Sequence, residues 1–130
     1  MASELRVNTL KDASGNNSIA TSFVAGGSAK AWINFDGTAS GAAARGSLNL
    51  ASMTDSGTGI YVCNLTSAFA NTNDCAATSS ASASTSGSDN RNISTTITGA
   101  SAIDNRTSNA SSGAVVDTSV NNVSAHGDLA

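Results

Sequence analysis

Apolar side chains in this sequence recur at every second position, in short runs separated by clusters of Gly, Asn, Asp and Ser. Leu5, Val7 and Thr9 alternate with Arg6 and Asn8; Ala31, Ile33 and Phe35 alternate with Lys30, Trp32, Asn34 and Asp36. Tyr61, Cys63 and Leu65 alternate with Val62 and Asn64, and shorter alternations recur at Leu48/Leu50, Ile93/Thr95/Ile97 and Val123/Ala125. A period of two sends successive side chains to opposite faces of a strand. No stretch sustains a helical period. The pattern predicts about six or seven short strands spaced roughly 10–15 residues apart, which is the signature of an all-β, antiparallel sandwich or barrel-like module.

Turn chemistry divides the chain. KDASGNN after the first alternation reads as a turn, 18–24 is ambiguous, and Gly26-Gly27 reads as a flexible hinge. Residues 1–27 are therefore expected to form an N-terminal arm for attachment or strand exchange, and 28–130 the sandwich domain. Residues 38–46 are small and loop-like, and 45–53 reads as the next strand. The TDSGTG cluster then turns the chain into the strand at Tyr61, making a hairpin. The polar run 79–90 reads as a loop, 99–114 as a long Gly/Ser/Asn-rich connection anchored by Ile103, and 115–126 as the last strand.

Composition bears on how such a module holds together. The chain has 130 residues, of which 39% are hydrophobic, but much of that share is alanine; aromatics are 4% and proline is absent. Burial stabilises in proportion to apolar area, so a lone copy would have a thin core. Self-association offsets that, which predicts a homo-oligomer. Net charge is −3, with Arg6, Lys11, Lys30, Arg45, Arg91 and Arg106 scattered. There is no basic stripe to neutralise phosphates, which argues against nucleic acid as a partner. No apolar run approaches the roughly 18 residues of a membrane span, and the N-terminus lacks the layout of a signal peptide.

Few residues point to chemistry. Cys63 and Cys75 lie on consecutive expected strands; they read either as a cross-strand disulfide or as two small buried thiols. Two cysteines and one histidine are too few for a zinc site. His126 reads as a strand-end side chain in preference to a metal ligand. Asp36, Asp55, Asp74, Asp89 and Asp104 neighbour Gly, Ser or Asn, which is turn usage, and Asp89-Asn90 lacks calcium-ligand spacing. No nucleophile–base or paired-carboxylate arrangement can be named, so no enzyme activity, cofactor or metal is expected. Trp32, the only tryptophan, falls on the polar face of its strand, where an indole calls for a partner. Trp32, Asn34 and Asp36 share that face, as a sugar-stacking site would require; the competing reading puts Trp32, Phe35 and Tyr61 in the core and its rim.

The order of motifs SELRVNTLKDASGNNS, AKAWINFDGT, the TDSGTG turn with Tyr61 and Asn64 after it, and a closing VSAHGDLA resembles small tail-fibre and related virion surface proteins of marine and freshwater bacteriophages, cyanophages among them. The resemblance covers the N-terminal two thirds and the last ten residues. Its most specific part is carried by Ala31, Trp32, Asn34 and Phe35. It implies a virion structural protein, usually trimeric, made in the host cytoplasm and displayed on the particle. The expected role is a tail-fibre or tail-associated protein for host attachment, with a capsid decoration (cement) protein as the alternative. Other virion proteins and a host cell-surface glycan are the expected partners. Trp32, Asn34, Phe35 and Tyr61 are the expected subunit or ligand contacts.

Overall fold

The strand at the centre of the fold, β3 (Ala29–Asp36), follows its sequence pattern closely: Ala31, Ile33 and Phe35 are buried, while Trp32 is 44% exposed. The structure is a computed structural model and describes residues 3, 5–82 and 91–130. Around β3 the chain builds β4 (Ala43–Leu48), β5 (Leu50–Gly57), β6 (Ile60–Leu65), β7 (Cys75–Ser82), β8 (Arg91–Gly99), β9 (Ala102–Asn109) and β10 (Val120–Gly127). These form two antiparallel four-stranded sheets, ordered β4-β3-β10-β7 and β5-β6-β9-β8. The protein is an all-β sandwich, as the alternation predicts.

The core lies between the sheets. β3 contributes Ala31, Ile33 and Phe35, β10 contributes Val123 and Ala125, β6 contributes Tyr61, Cys63 and Leu65, and β9 contributes Ile103. Phe35 and Tyr61 meet edge-on across the gap, ring centroids 5.1 Å apart, a favoured aromatic geometry. Phe69 is buried as well, and the C-terminal tail pairs with its segment through Ala70 N–H to Asp128 O (2.8 Å) and Ala130 N–H to Ala68 O (2.9 Å).

Several sequence expectations are corrected. The stretch 45–53 is two strands in different sheets. Asn49 (φ 62°) bends the chain in a conformation that asparagine tolerates better than most residues. Its side chain fixes the bend, accepting from Ser67 N–H (2.7 Å) and donating to Ser67 O (3.0 Å). Residues 79–82 belong to β7, not to a loop, because the backbone of β7 pairs with β10 along its whole length. The remainder of that run, 83–90, Asp89-Asn90 included, lies outside the described residues. Residues 102–109 form β9, paired on both sides, instead of a long connection. The hairpin between β5 and β6 forms as expected, though its turn is tighter than TDSGTG suggests. At that turn Gly59 (φ 67°) sits so close to the 107–116 backbone that a Cβ would lie 2.6 Å from Thr107 O.

Before the sandwich, β1 (Thr9–Lys11) and β2 (Ser18–Ala20) form a hairpin about the expected turn. Asp12 organises it, accepting from Asn16 N–H (3.0 Å) and Asn17 Nδ2 (2.7 Å). Hydrogen bonding to Asn17 holds the Asp12 carboxyl below its usual range. The expected Gly-Gly hinge is instead the last turn of a short helix, α1 (Thr21–Gly27), which has no side-chain cap and no buried residue.

Candidate functional site

Side chains left over from the core pattern make the outer face of the first sheet. On β3 these are Trp32 and Asn34, on β10 Asn122 and Ser124, and on β7 Thr78 and Ser80. Together with the backbone around Ile33, Ser79 and Val123 they line an open groove of about 380 Å³. The indole lies over β4, where a Cβ on Gly46 would be at ordinary contact distance, 3.5 Å from its ring. Beside it runs a polar relay across three strands. Asn34 Nδ2 donates to Asn122 Oδ1 (2.7 Å), and Asn122 Nδ2 donates to Ser80 Oγ (3.3 Å). Among the described residues no Asp, Glu, Lys or Arg lines the groove.

The expected contact residues are divided by the fold. Trp32 and Asn34 reach the groove. Phe35 and Tyr61 are wholly buried, so in the single chain they present no surface to a subunit or ligand. Asp36, expected on the same face as Trp32 and Asn34, is engaged at the strand's end. Its carboxylate accepts from Thr38 N–H (3.0 Å) and Thr38 Oγ1 (2.6 Å), and pairs with Arg45 (2.6 Å). The Thr38 bonds, with Arg45 assisting, keep this carboxyl below its usual range. Asn122 and Ser124 were foreshadowed by the inward Val123 and Ala125, whose neighbours must point out. Thr78 and Ser80 had no comparable signal.

Tyr61 does polar work from inside the core. Its hydroxyl donates to Asp117 Oδ1 (2.8 Å) and approaches Gly37 O (3.3 Å), and Gly59 N–H donates to the same Asp117 oxygen (2.7 Å). Burial, reinforced by Asp117, raises the phenol's pKa well above its usual value. The cysteines are free in this structure, Cys63 buried and Cys75 half-buried. They stand in different sheets: Cys63 pairs with Met53 and Ile103, and Cys75 with Gly127. Burial pushes the Cys63 thiol up to about 12. The Cys75 thiol, raised by desolvation and by Asp74, hydrogen-bonds to the Asn71 and Thr72 carbonyls (3.3 and 3.4 Å).

His126 follows Ser124 on β10. Its Nδ1 lies 3.1 Å from Gly27 O, tying the base of the arm to the sandwich, and its Nε2 lies 3.5 Å from Ser124 Oγ. Among the described residues no three His, Cys, Asp or Glu side chains cluster as metal ligands, and no helix is long and apolar enough to cross a membrane. Comparison with protein-family models, curated proteins and solved structures gives no match to this chain.

Proposed function

We propose that this chain is a structural protein of a bacteriophage virion, a tail-fibre or tail-associated component that serves host attachment by adhesion and carries out no catalysis. The observation that carries this reading is the uncovered apolar surface of the arm. Leu5, Val7, Leu10, Ile19, Phe23 and Val24 are all exposed, Leu5 at 80% and Phe23 at 73%. A chain with so few bulky apolar residues places six of them outside its own core. Exposed bulky apolar side chains concentrated in one short segment support a protein contact there. In this reading the arm docks on sister copies or on other virion proteins, the assembly is a trimer, and the sandwich is displayed outward. The phage setting rests on the motifs around Trp32 and on the closing VSAHGDLA. The same arm also suits a capsid decoration protein, where it would lie along neighbouring shell subunits.

Quantitative gel densitometry of purified particles tests the proposal. A handful of copies supports the tail assignment and hundreds support capsid decoration, while absence from particles overturns both. Removing residues 1–27 is expected to abolish incorporation. Retained incorporation would contradict the role given to the arm.

A further inference from the structure

We propose that the groove over Trp32 is a binding site for a neutral saccharide, which deepens the adhesion reading above and rests on it for the biological source of the glycan. Three features of the groove define its ligand. The indole gives a flat apolar platform, 44% exposed and lying over Gly46, of the kind that stacks on the C–H face of a sugar ring. The relay from Asn34 through Asn122 to Ser80 offers amide and hydroxyl groups that both donate and accept, as sugar hydroxyls do. Among the described residues no carboxylate or basic side chain lines the groove, so an anionic or cationic ligand would find no counter-charge from them.

The relay also has a direction. Every Nδ2 in it points from β3 toward β7. The Asn34 end therefore presents an acceptor, Oδ1, beside the indole, and the Ser80 end presents a hydroxyl hydrogen. From β3 to β7 the groove crosses two strand spacings, about 10 Å, room for more than one ring. A short neutral oligosaccharide lying across the strands fits this arrangement, with one ring on Trp32 and the next over Asn122 and Ser80. The side chains are held by a regular sheet instead of a loop, so the site is preorganised.

The test uses the full chain and a panel of neutral tetrasaccharides built on glucose, galactose or mannose, with tetragalacturonate as the acidic control. Trp32 is the only tryptophan, so its fluorescence reports directly on the groove. At least one neutral tetrasaccharide is expected to quench or shift this emission saturably. It is also expected to move the Asn34 and Asn122 side-chain amide signals in nitrogen-15 NMR spectra. Affinity by calorimetry should fall about tenfold or more in Trp32→Ala and in Asn122→Ala, and less in Trp32→Phe, with the elution volume unchanged in all three. The proposal is overturned if no neutral tetrasaccharide perturbs Trp32 at millimolar concentration, if the acidic control binds as well, or if binding survives Trp32→Ala. It is likewise overturned if Trp32→Ala changes the oligomeric state, since the indole would then be a subunit contact. Particle copy number is independent of all these readouts: saccharide binding by a chain absent from virions sinks only the virion assignment, and a virion protein with an inert groove sinks only this one.

Discussion

Replacing Tyr61 by phenylalanine isolates one hydroxyl at the point where three loops meet the core. The ring is wholly buried and packs edge-on with Phe35, and Tyr61→Phe leaves that packing in place. What disappears is the donor to Asp117 Oδ1 at 2.8 Å and the longer contact to Gly37 O at 3.3 Å. A hydrogen bond to a charged group contributes about 1.5–3 kcal/mol, and a long neutral one contributes at the low end, near ~0.5 kcal/mol. The expected loss is therefore about 2–3 kcal/mol. Urea unfolding at fixed protein concentration should show it as a midpoint lower by roughly 1 M for a slope near 2 kcal/mol per M. The variant should also lose part of the wild type's alkaline sensitivity. A phenol whose pKa is raised on folding holds its proton more tightly in the native state. Its contribution is thus complete below the unfolded value of 10.0 and lost as pH rises above it. The stability gap between wild type and Tyr61→Phe should accordingly narrow above pH 10. A double-mutant cycle with Asp117→Asn should give a coupling of about 1 kcal/mol or more. A loss below about 0.5 kcal/mol, or strict additivity in the cycle, would refute the assignment of Tyr61 as the tie between core and loops.

Cys63 provides a second alkaline effect. Its thiol rises from 9.0 to about 12 on folding, so stability should fall above pH 9 by up to about 1.4 kcal/mol per unit, and Cys63→Ala should flatten that slope in pH-dependent melts. Asn105 is buried with neither amide atom hydrogen-bonded; Asn105→Leu is expected to be neutral or to stabilise by about 1–2 kcal/mol, read as a melting temperature that is unchanged or higher by several degrees. Gly59→Ala combines a left-handed backbone with a Cβ 2.6 Å from Thr107 O, and should cost more than about 2 kcal/mol in urea unfolding. Thiol titration should find two reactive groups in denaturant and only Cys75 reacting readily in the native protein, because Cys63 is sealed between the sheets.

The strands that were legible are those whose two faces differ. β3 and β6 set Ile33, Phe35, Tyr61 and Leu65 against smaller or polar neighbours, so alternation announced both the strand and its buried side. β7 carries Ser and Ala almost throughout, and its half-buried Ala77, Ser79 and Ala81 differ little from its exposed Ala76, Thr78 and Ser80. Where small residues occupy both faces, the period leaves no trace. β9 turns Asn105 and Thr107 inward beside Ile103, which reverses the usual polarity and made the segment read as a loop. α1 spans seven residues, under two turns, too few for a helical period to emerge. The groove was half legible for the same reasons: Trp32 and Asn34 stood on a readable strand, while Thr78 and Ser80 did not.

Alternation alone determined that this chain is all-β, which side of β3, β6 and β10 faces the core, and that Trp32 falls on the opposite face of its strand from Ile33 and Phe35. Only the tertiary structure decided that β10 lies between β3 and β7, bringing Asn34 against Asn122, 88 positions away in the chain. The physical reason is that a period of two encodes the face of a strand and carries no information about its neighbour. Neighbours are chosen by backbone pairing over the whole sheet, through hydrogen bonds that every residue type in these strands makes equally well.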